Sequence, residues 1–534
     1  MSKSTSTSSP PFYISQSTNS KGVSIGNGLF AGREFGAGEQ ITAIDRPLLG
    51  SLDTQYLHDT CANCYVWTEG ASSGTRLYVP PDTTVSKCAG CQRFRYCSKA
   101  CQKEAWNHGH KHECKSLRSL ANNEIPKAVL ACMELLTRRK HNLISDDEWS
   151  LVLQLQSHID DFKRLPSWEN IELMAMGASQ FSLTQDMFNK DFVAAMYARI
   201  LTNSLTLITP TLDPLGLIFD PMLGHINHSC DPNAFVMMDG ASVSLRTLKP
   251  IKKGEEVYIS YIDTTNPFHR RQTELSARWF FTCACSKCVK GATLDEDTFA
   301  VDPSSLPPKI QEIADALLTH ESSAQEPENY VGDTQPERRA AALQGKAFAE
   351  YEEARSLSDP AQIVDKLQDA MRLCHQSGLF PVYRQPFAAL RDDLILNLLS
   401  VGDYKTAWSH CAKRYTSILP TLYPVPFHPI RVVQTWQMAV LAIYFSATPE
   451  GIGAPGVNMG LIAMMLVKQV VDAAGRSHGV ESKFARSVGS KAEEMVGELK
   501  RSLGGGGMVD SAVMNRELEA QRDMLGQMGE WAKI

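Results

Sequence analysis

The amino-acid sequence predicts an α+β chain of several domains. A β-rich part is interrupted by a cysteine cluster and a helical insert, and an all-helical C-terminal part follows. Three observations carry this expectation. Short alternating apolar and polar runs with glycine turns occupy 21–60 and 206–263, as in VSIGNGLFAGREFGAGEQITAI. Apolar residues recur at three- and four-residue spacing in IPKAVLACMELLTRR and KDFVAAMYARILTNSLTLI, and again almost throughout 308–534. Eleven of the fourteen cysteines fall within 61–114 and 230–288.

With 534 residues, the chain has room for roughly two to four domains. Hydrophobic residues at 43% and charged residues at 21% are the balance of a soluble globular protein. A net charge of −6 excludes nucleic-acid binding by the field of the whole protein and leaves only a local basic patch. No apolar run approaches the ~18 residues that would span a membrane. The opening MSKSTSTSSPPF is Ser/Thr-rich and lacks an apolar signal core, so 1–20 is expected to be a disordered tail. The expected location is intracellular, in the nucleus, the cytoplasm or both. In that reducing setting, clustered cysteines point to metal before disulfides.

The elements then follow in order. Short strands and tight turns are expected over 21–60, with Gly26-Asn27-Gly28 as a glycine-flanked turn. The Cys/His cluster fills 61–114 and contains a loop insertion near 68–84. A helical insert spans 115–205. Strands return over 206–263, where Asp239-Gly240 marks a hairpin between Ala234–Met238 and Ser242–Leu245. Over Glu255–Ile262 the alternation puts Val257, Ile259 and Tyr261 on one strand face. A second cysteine group lies in 264–291, and an acidic, then Pro-rich linker in 292–307. Within 308–534, Gly402-x-Tyr404-x-x-Ala407 is similar to the small-residue packing of helical-hairpin repeats, although no 34-residue period emerges. Gly504–Gly507 should break the chain before a last amphipathic helix near 509–531.

The first cluster runs Cys61-x2-Cys64, then Cys88-x2-Cys91-x5-Cys97-x3-Cys101-x8-His110-x3-Cys114. Eight ligands of this type make two closed tetrahedral zinc sites, which are structural because no position is open for water. A segment with few large apolar side chains needs that metal to fold. The stretch CxxCxxxxYCSKACQKEAWxxxHKHEC, with Tyr96, Gln102, Trp106 and Lys111, closely resembles the MYND zinc finger. The resemblance implies an interleaved pairing: Cys61, Cys64, Cys97 and Cys101 on one zinc, and Cys88, Cys91, His110 and Cys114 on the other. It also implies protein–protein contacts. Lys87, Arg93, Arg95, Lys99, Lys103 and Lys111 read as a solvated basic face, so direct DNA binding is weak at most.

Four further stretches stand in order: Gly26-Asn27-Gly28, Asn227-His228-Ser229-Cys230-Asp231-Pro232-Asn233, Gly254-Glu255-Glu256-Val257-Tyr258-Ile259-Ser260-Tyr261 and Cys283-x-Cys285-x2-Cys288. Together they resemble the SET domain of protein-lysine methyltransferases and its post-SET cysteines. A finger inserted in such a domain, followed by helices, resembles the SET and MYND domain (SMYD) family. The likeness is strong over about 20–290 and weak over 300–534. It implies a SET core split by the finger, and a TPR-like C-terminal domain. It further implies a protein substrate with a target lysine, S-adenosylmethionine as cofactor, and three zinc ions.

By that resemblance Tyr261 is the catalytic tyrosine and also contacts the cofactor, although a core tyrosine would show the same pattern. Asn27, Gly28, Asn203, Asn227, His228 and Phe281 would bind cofactor, with Phe281 stacking on the adenine. Cys230 would complete a third zinc site with Cys283, Cys285 and Cys288. Trp279 stands where many relatives have a tyrosine lining the lysine channel, which puts activity and product degree in question. That departure supports one rival expectation: a catalytically weak or inactive adaptor that recruits partners through the finger and the helical domain.

Overall fold

A computed structural model describes residues 10–18, 22, 24–68, 77–120, 123–292, 303–321, 334–448, 451–452, 454–502 and 511–534. It divides into two compact units. The first comprises Met1–Ile262, Glu274–Cys285 and Ala474–Ser487, and the second Asp263–Thr273, Ser286–Ala473 and Val488–Ile534.

Residues 12–18, expected as tail, form a strand antiparallel to Ser24–Ala31, with Phe12 opposite Ala31 and Ser17 opposite Gly26. Phe12, Tyr13 and Ile14 have the aromatic and β-branched side chains that suit a pleated surface. The Ser/Thr bias around them concealed the pattern. Asn27 and Gly28 likewise lie inside a strand, opposite Gln16 and Ser15, rather than in a tight turn.

Two three-stranded sheets form the β core. One orders Ala234–Asp239, Ser242–Thr247 and Gln40–Ile44, and the other Leu49–Leu52, Pro214–Phe219 and Leu205–Ile208. Both are antiparallel throughout. The predicted hairpin is present. Because Asp239 pairs with Ser242, its two loop residues are Gly240 and Ala241, and Gly240 takes the positive φ of 68°. Strand geometry over Glu255–Ile262 contracts to Tyr258–Ile259, which pairs in parallel with Asn227–His228. This two-residue ladder puts the NHSC stretch beside the approach to Tyr261.

Leu29, Leu207, Leu215, Val243, Leu245, Val257 and Ile259 pack in one apolar cluster of this unit. The insert is helical as expected, with helices Lys127–Lys140, Asp146–Gln154, Trp168–Ser182 and Lys190–Asn203. Ser145 and Glu148 close a reciprocal capping box at the second of these. Its buried face, including Leu135, Leu136, Val152 and Ile200, forms a second cluster with the finger.

The second unit is helical. Gln335–Ser356, Pro360–Ser377, Phe387–Ser400 and Tyr404–Lys413 pack each against the next. Gly402, at φ 82°, makes the tight link into the last of them, where Ala407 and Trp408 are fully buried. The last helix runs Ser511–Gly529. Gly504–Gly507, most of the expected linker and residues 69–76 of the expected insertion lie outside the described residues. No described helix is long and apolar enough to cross a membrane.

Candidate active site and metal centres

Each C-x2-C pair of the finger is a closed knuckle. Tyr65 N–H donates to Cys61 O and Gln92 N–H to Cys88 O, both at 2.9 Å. The residue after each second cysteine takes a left-handed φ, 56° at Tyr65 and 59° at Gln92, which turns the sulfurs inward. Ser98 caps helix Lys99–Ala105 by accepting from Cys101 N–H at 3.1 Å, which orients Cys101. The chain bends at Gly109, φ 143°, to bring His110 in.

Two groups result: Cys61, Cys64, Cys97, Cys101 and Cys88, Cys91, His110, Cys114, the ligand atoms of each lying within 4.8 Å of one another. Tetrahedral zinc with Zn–S of ~2.3 Å and Zn–N of ~2.0–2.1 Å demands edges of about 3.8 Å between sulfurs and about 3.6 Å from sulfur to nitrogen. Cys64–Cys97 is 3.7 Å, Cys97–Cys101 3.5 Å and Cys88–Cys114 3.9 Å. His110 Nε2 lies 3.5 Å from Cys88 Sγ and 3.7 Å from Cys91 Sγ. None of these cysteines is in a disulfide. The donor sets therefore fit zinc.

His110 Nδ1 lies 3.1 Å from Glu113 Oε1, so its N–H donates to that carboxylate and Nε2 faces the sulfurs. Glu113 was not foreseen, although its i+3 position after His110 on a helix is a usable signal. His108 is exposed and outside both groups. Gly90 is required here, since a Cβ on it would lie 2.5 Å from Cys114 Sγ. The expected basic face loses one member. Arg93 is buried and donates to Leu120 O and Asn123 O at 3.0 and 2.8 Å, closing the loop beyond the finger.

Cys230, Cys283, Cys285 and Cys288 form the third group, with sulfurs within 4.8 Å of one another. This group is tied to Tyr261 by one imidazole. Tyr261 N–H donates to His228 Nδ1 at 3.0 Å, so the ring proton sits on Nε2, 3.2 Å from Cys230 Sγ. The His228 side chain thus bridges a metal-type sulfur and the backbone of Tyr261, beyond the largely backbone role expected of it.

Tyr261 donates its hydroxyl to Ile226 O at 2.7 Å. Burial raises its pKa, and the charge of Glu256 adds to the effect, so the phenol stays protonated. Trp279, which is 6% exposed, lies with its ring 5.3 Å from that of Tyr261. Its indole N–H donates to Thr202 O at 3.0 Å, in the last turn of Lys190–Asn203, where helix carbonyls lack intrahelical donors. The indole therefore serves as a helix cap and presents only its carbon face to Tyr261.

The asparagines share a pattern. Asn203 donates both amide hydrogens, to Gln156 O and Arg199 O at 2.9 Å each. Asn227 donates both of its own, to Asn27 O at 3.1 Å and Glu256 Oε1 at 2.7 Å. Each therefore keeps its oxygen as the atom that can accept from a ligand. Phe281, half-buried, has its ring 6.1 Å from His228. Asn233 is a brace: it donates to Glu256 O at 2.9 Å and accepts from Tyr258 N–H at 2.8 Å.

The SET-domain model matches residues 26–262. The SET domain and MYND-type zinc finger protein 6 of Schizosaccharomyces pombe is 33% identical over 247 residues, 46% of each chain. N-lysine methyltransferase SMYD2 of Homo sapiens is 32% identical over 245 residues, 44% of this chain and 54% of the relative. Histone-lysine N-methyltransferase ASHR1 of Arabidopsis thaliana is 24% identical over 499 residues, 88% of this chain and 93% of the relative. The first and second of these are matched over about half their length. Residues 26–262 thus match a SET domain, and over about half its length the chain is similar to proteins named for SET and MYND domains.

Proposed function

We infer that the protein is a protein-lysine N-methyltransferase that uses S-adenosylmethionine. The observation that carries the reading is the setting of Tyr261: a half-buried, protonated phenol anchored on Ile226 O, with its backbone held by His228 and its ring against Trp279. The relatives named as lysine methyltransferases support it.

When bound, the cofactor supplies a methyl group activated on a sulfonium. The chain's own residues do the rest. The target amine must shed its proton, since free lysine holds it to a pKa of about 10.4. Apolar surroundings of the kind that Trp279 and the Tyr261 ring offer favour the neutral amine. The Tyr261 hydroxyl spends its proton on Ile226 O, so its oxygen is free to accept. It would orient the amine by accepting from it and would receive C–H···O contacts from the polarised methyl. A phenol held protonated by burial is not a base, so Tyr261 orients and does not abstract. Asn203 and Asn227, with only oxygens to offer, suit the amine-bearing end of the cofactor. Phe281 suits its adenine. Three zincs would be structural, and the third would hold Tyr261 in register through Cys230 and His228. Protein contacts through the finger, TPR-like stacking of the C-terminal helices, and nuclear or cytoplasmic residence belong to the same proposal.

Calorimetric titration of the purified full chain with S-adenosylmethionine tests the reading. Saturable one-site binding is expected. Absence of binding in zinc-replete protein would overturn it.

A further inference from the structure

Glu256 is 8% exposed, yet among the described residues the donors that reach its carboxylate are all neutral. Ser17 Oγ and Tyr258 OH donate to Oε2 at 2.7 Å each, and Asn227 Nδ2 donates to Oε1 at 2.7 Å. Burying a carboxylate without a cation is costly. An apolar residue would fill the space with less penalty, so the group's value lies in what it holds.

It holds two elements. The first is the Asn227 amide, whose nitrogen faces Glu256 Oε1 and Asn27 O. Both are pure acceptors, so a flipped amide would set oxygen against oxygen twice. An asparagine amide otherwise has two nearly equivalent orientations, and here the carboxylate fixes one, with Oδ1 outward. The second element is the strand Ser24–Ala31. A Cβ on Gly28 would lie 2.1 Å from Glu256 Oε1 and 3.0 Å from Asn227 Nδ2, so the glycine lets this strand lie directly on the carboxylate–amide pair. Ser17, fully buried and opposite Gly26, ties the neighbouring strand to the same carboxylate.

We propose that Glu256 is a positioning residue for cofactor binding: its carboxylate locks the Asn227 amide with the oxygen outward and clamps the strand carrying Asn27 against it. The proposal rests on the reading that S-adenosylmethionine binds at Asn27 and Asn227. Shape rather than charge does the work. In Glu256→Gln the amide oxygen can still receive Asn227, while the hydroxyls of Ser17 and Tyr258 turn to accept from its nitrogen. In Glu256→Asp the carboxylate keeps its charge but retreats by one methylene, too short to reach Ser17, Tyr258 and Asn227 together.

The test is calorimetric titration of the zinc-replete full chain with S-adenosylmethionine. Glu256→Ala and Glu256→Asp are expected to weaken binding by about tenfold, the upper end of what one lost hydrogen bond costs. Glu256→Gln should stay within about threefold of wild type, since it keeps that bond. In an Asn227→Ala background, Glu256→Ala should cost clearly less than in wild type, because the amide it positions is gone and only the strand contact is left to lose. A merely structural role would lower the melting temperature without this non-additivity or this order of variants. If Glu256→Ala does not fold, Glu256→Asp carries the same readout. Wild-type affinity in the alanine or aspartate variant would overturn the proposal, as would an undiminished loss in the Asn227→Ala background. Failure of wild type to bind would overturn the functional reading and the proposal with it.

Discussion

Trp279→Phe separates two roles of the indole, packing against Tyr261 and capping the helix that ends at Asn203. Phenylalanine retains an aromatic face but has no N–H, so Thr202 O loses its 3.0 Å donor in a buried setting. A buried carbonyl left unsatisfied costs about 1–3 kcal/mol. The missing half of the indole leaves a void on the order of 30–40 Å³, which at roughly 24 cal/mol per Å³ adds about 1 kcal/mol. The total is about 2–4 kcal/mol, read as a lower urea midpoint at unchanged slope. The void opens beside Tyr261, 5.3 Å from the indole, so more room is expected where the target amine would sit. Intact-mass analysis of a methylated substrate should then show a shift toward higher methylation states. A variant as stable as wild type, with an unchanged product distribution, would refute both the cap and the placement of Trp279.

Glu113→Ala removes the carboxylate behind His110. Zinc affinity of that finger site should fall by about 10–100-fold, so that a graded chelator competition removes one zinc early while two remain. His478 is buried, donates Nε2–H to Pro210 O at 2.9 Å, and has its pKa lowered by burial from 6.5 to about 4. It is neutral in the fold, and the unfolded chain takes up the proton first. Its stabilisation is therefore complete above pH 6.5 and is lost as pH falls from 6.5 towards 4. Urea titrations should show wild type losing about 2 kcal/mol more than His478→Gln between about pH 7.5 and pH 5. Equal losses would remove His478 from the account.

The finger was legible because metal geometry constrains sequence spacing directly. Two C-x2-C pairs followed by C-x3-C and H-x3-C leave few ways to make closed sites, and the observed grouping is the interleaved one. Helices of the insert were legible from their apolar period. Less visible was whatever depends on a buried polar partner distant in the chain. Ser17 looked like part of a polar tail, and it is buried because Glu256 lies 239 residues away in sequence and 2.7 Å away in space. Asn27 read as a turn residue because Gly-x-Gly usually marks one. Here one glycine serves close approach to a carboxylate. Arg93 counted as surface charge until two backbone carbonyls were found to receive it. The strand through Tyr261 was assigned from alternation, yet its pairing is divided: Glu255 and Val257 bond to Ala31 and Leu29, Tyr258–Ile259 pairs with Asn227–His228, and side chains of Asn233 and His228 take the Tyr258 and Tyr261 N–H groups.

Transfer of labelled methyl from S-adenosylmethionine to protein lysine, compared between the full chain and Tyr261→Phe, tests whether Tyr261 serves a lysine methyltransferase. The substitution removes one hydroxyl and its bond to Ile226 O and leaves every metal-type cysteine in place. Expected are labelled lysine with wild type, a loss of at least about 100-fold in turnover for the variant, and about three zincs bound to both proteins. Undiminished labelling by Tyr261→Phe, or no labelling of any protein by the zinc-replete wild type, would contradict that role.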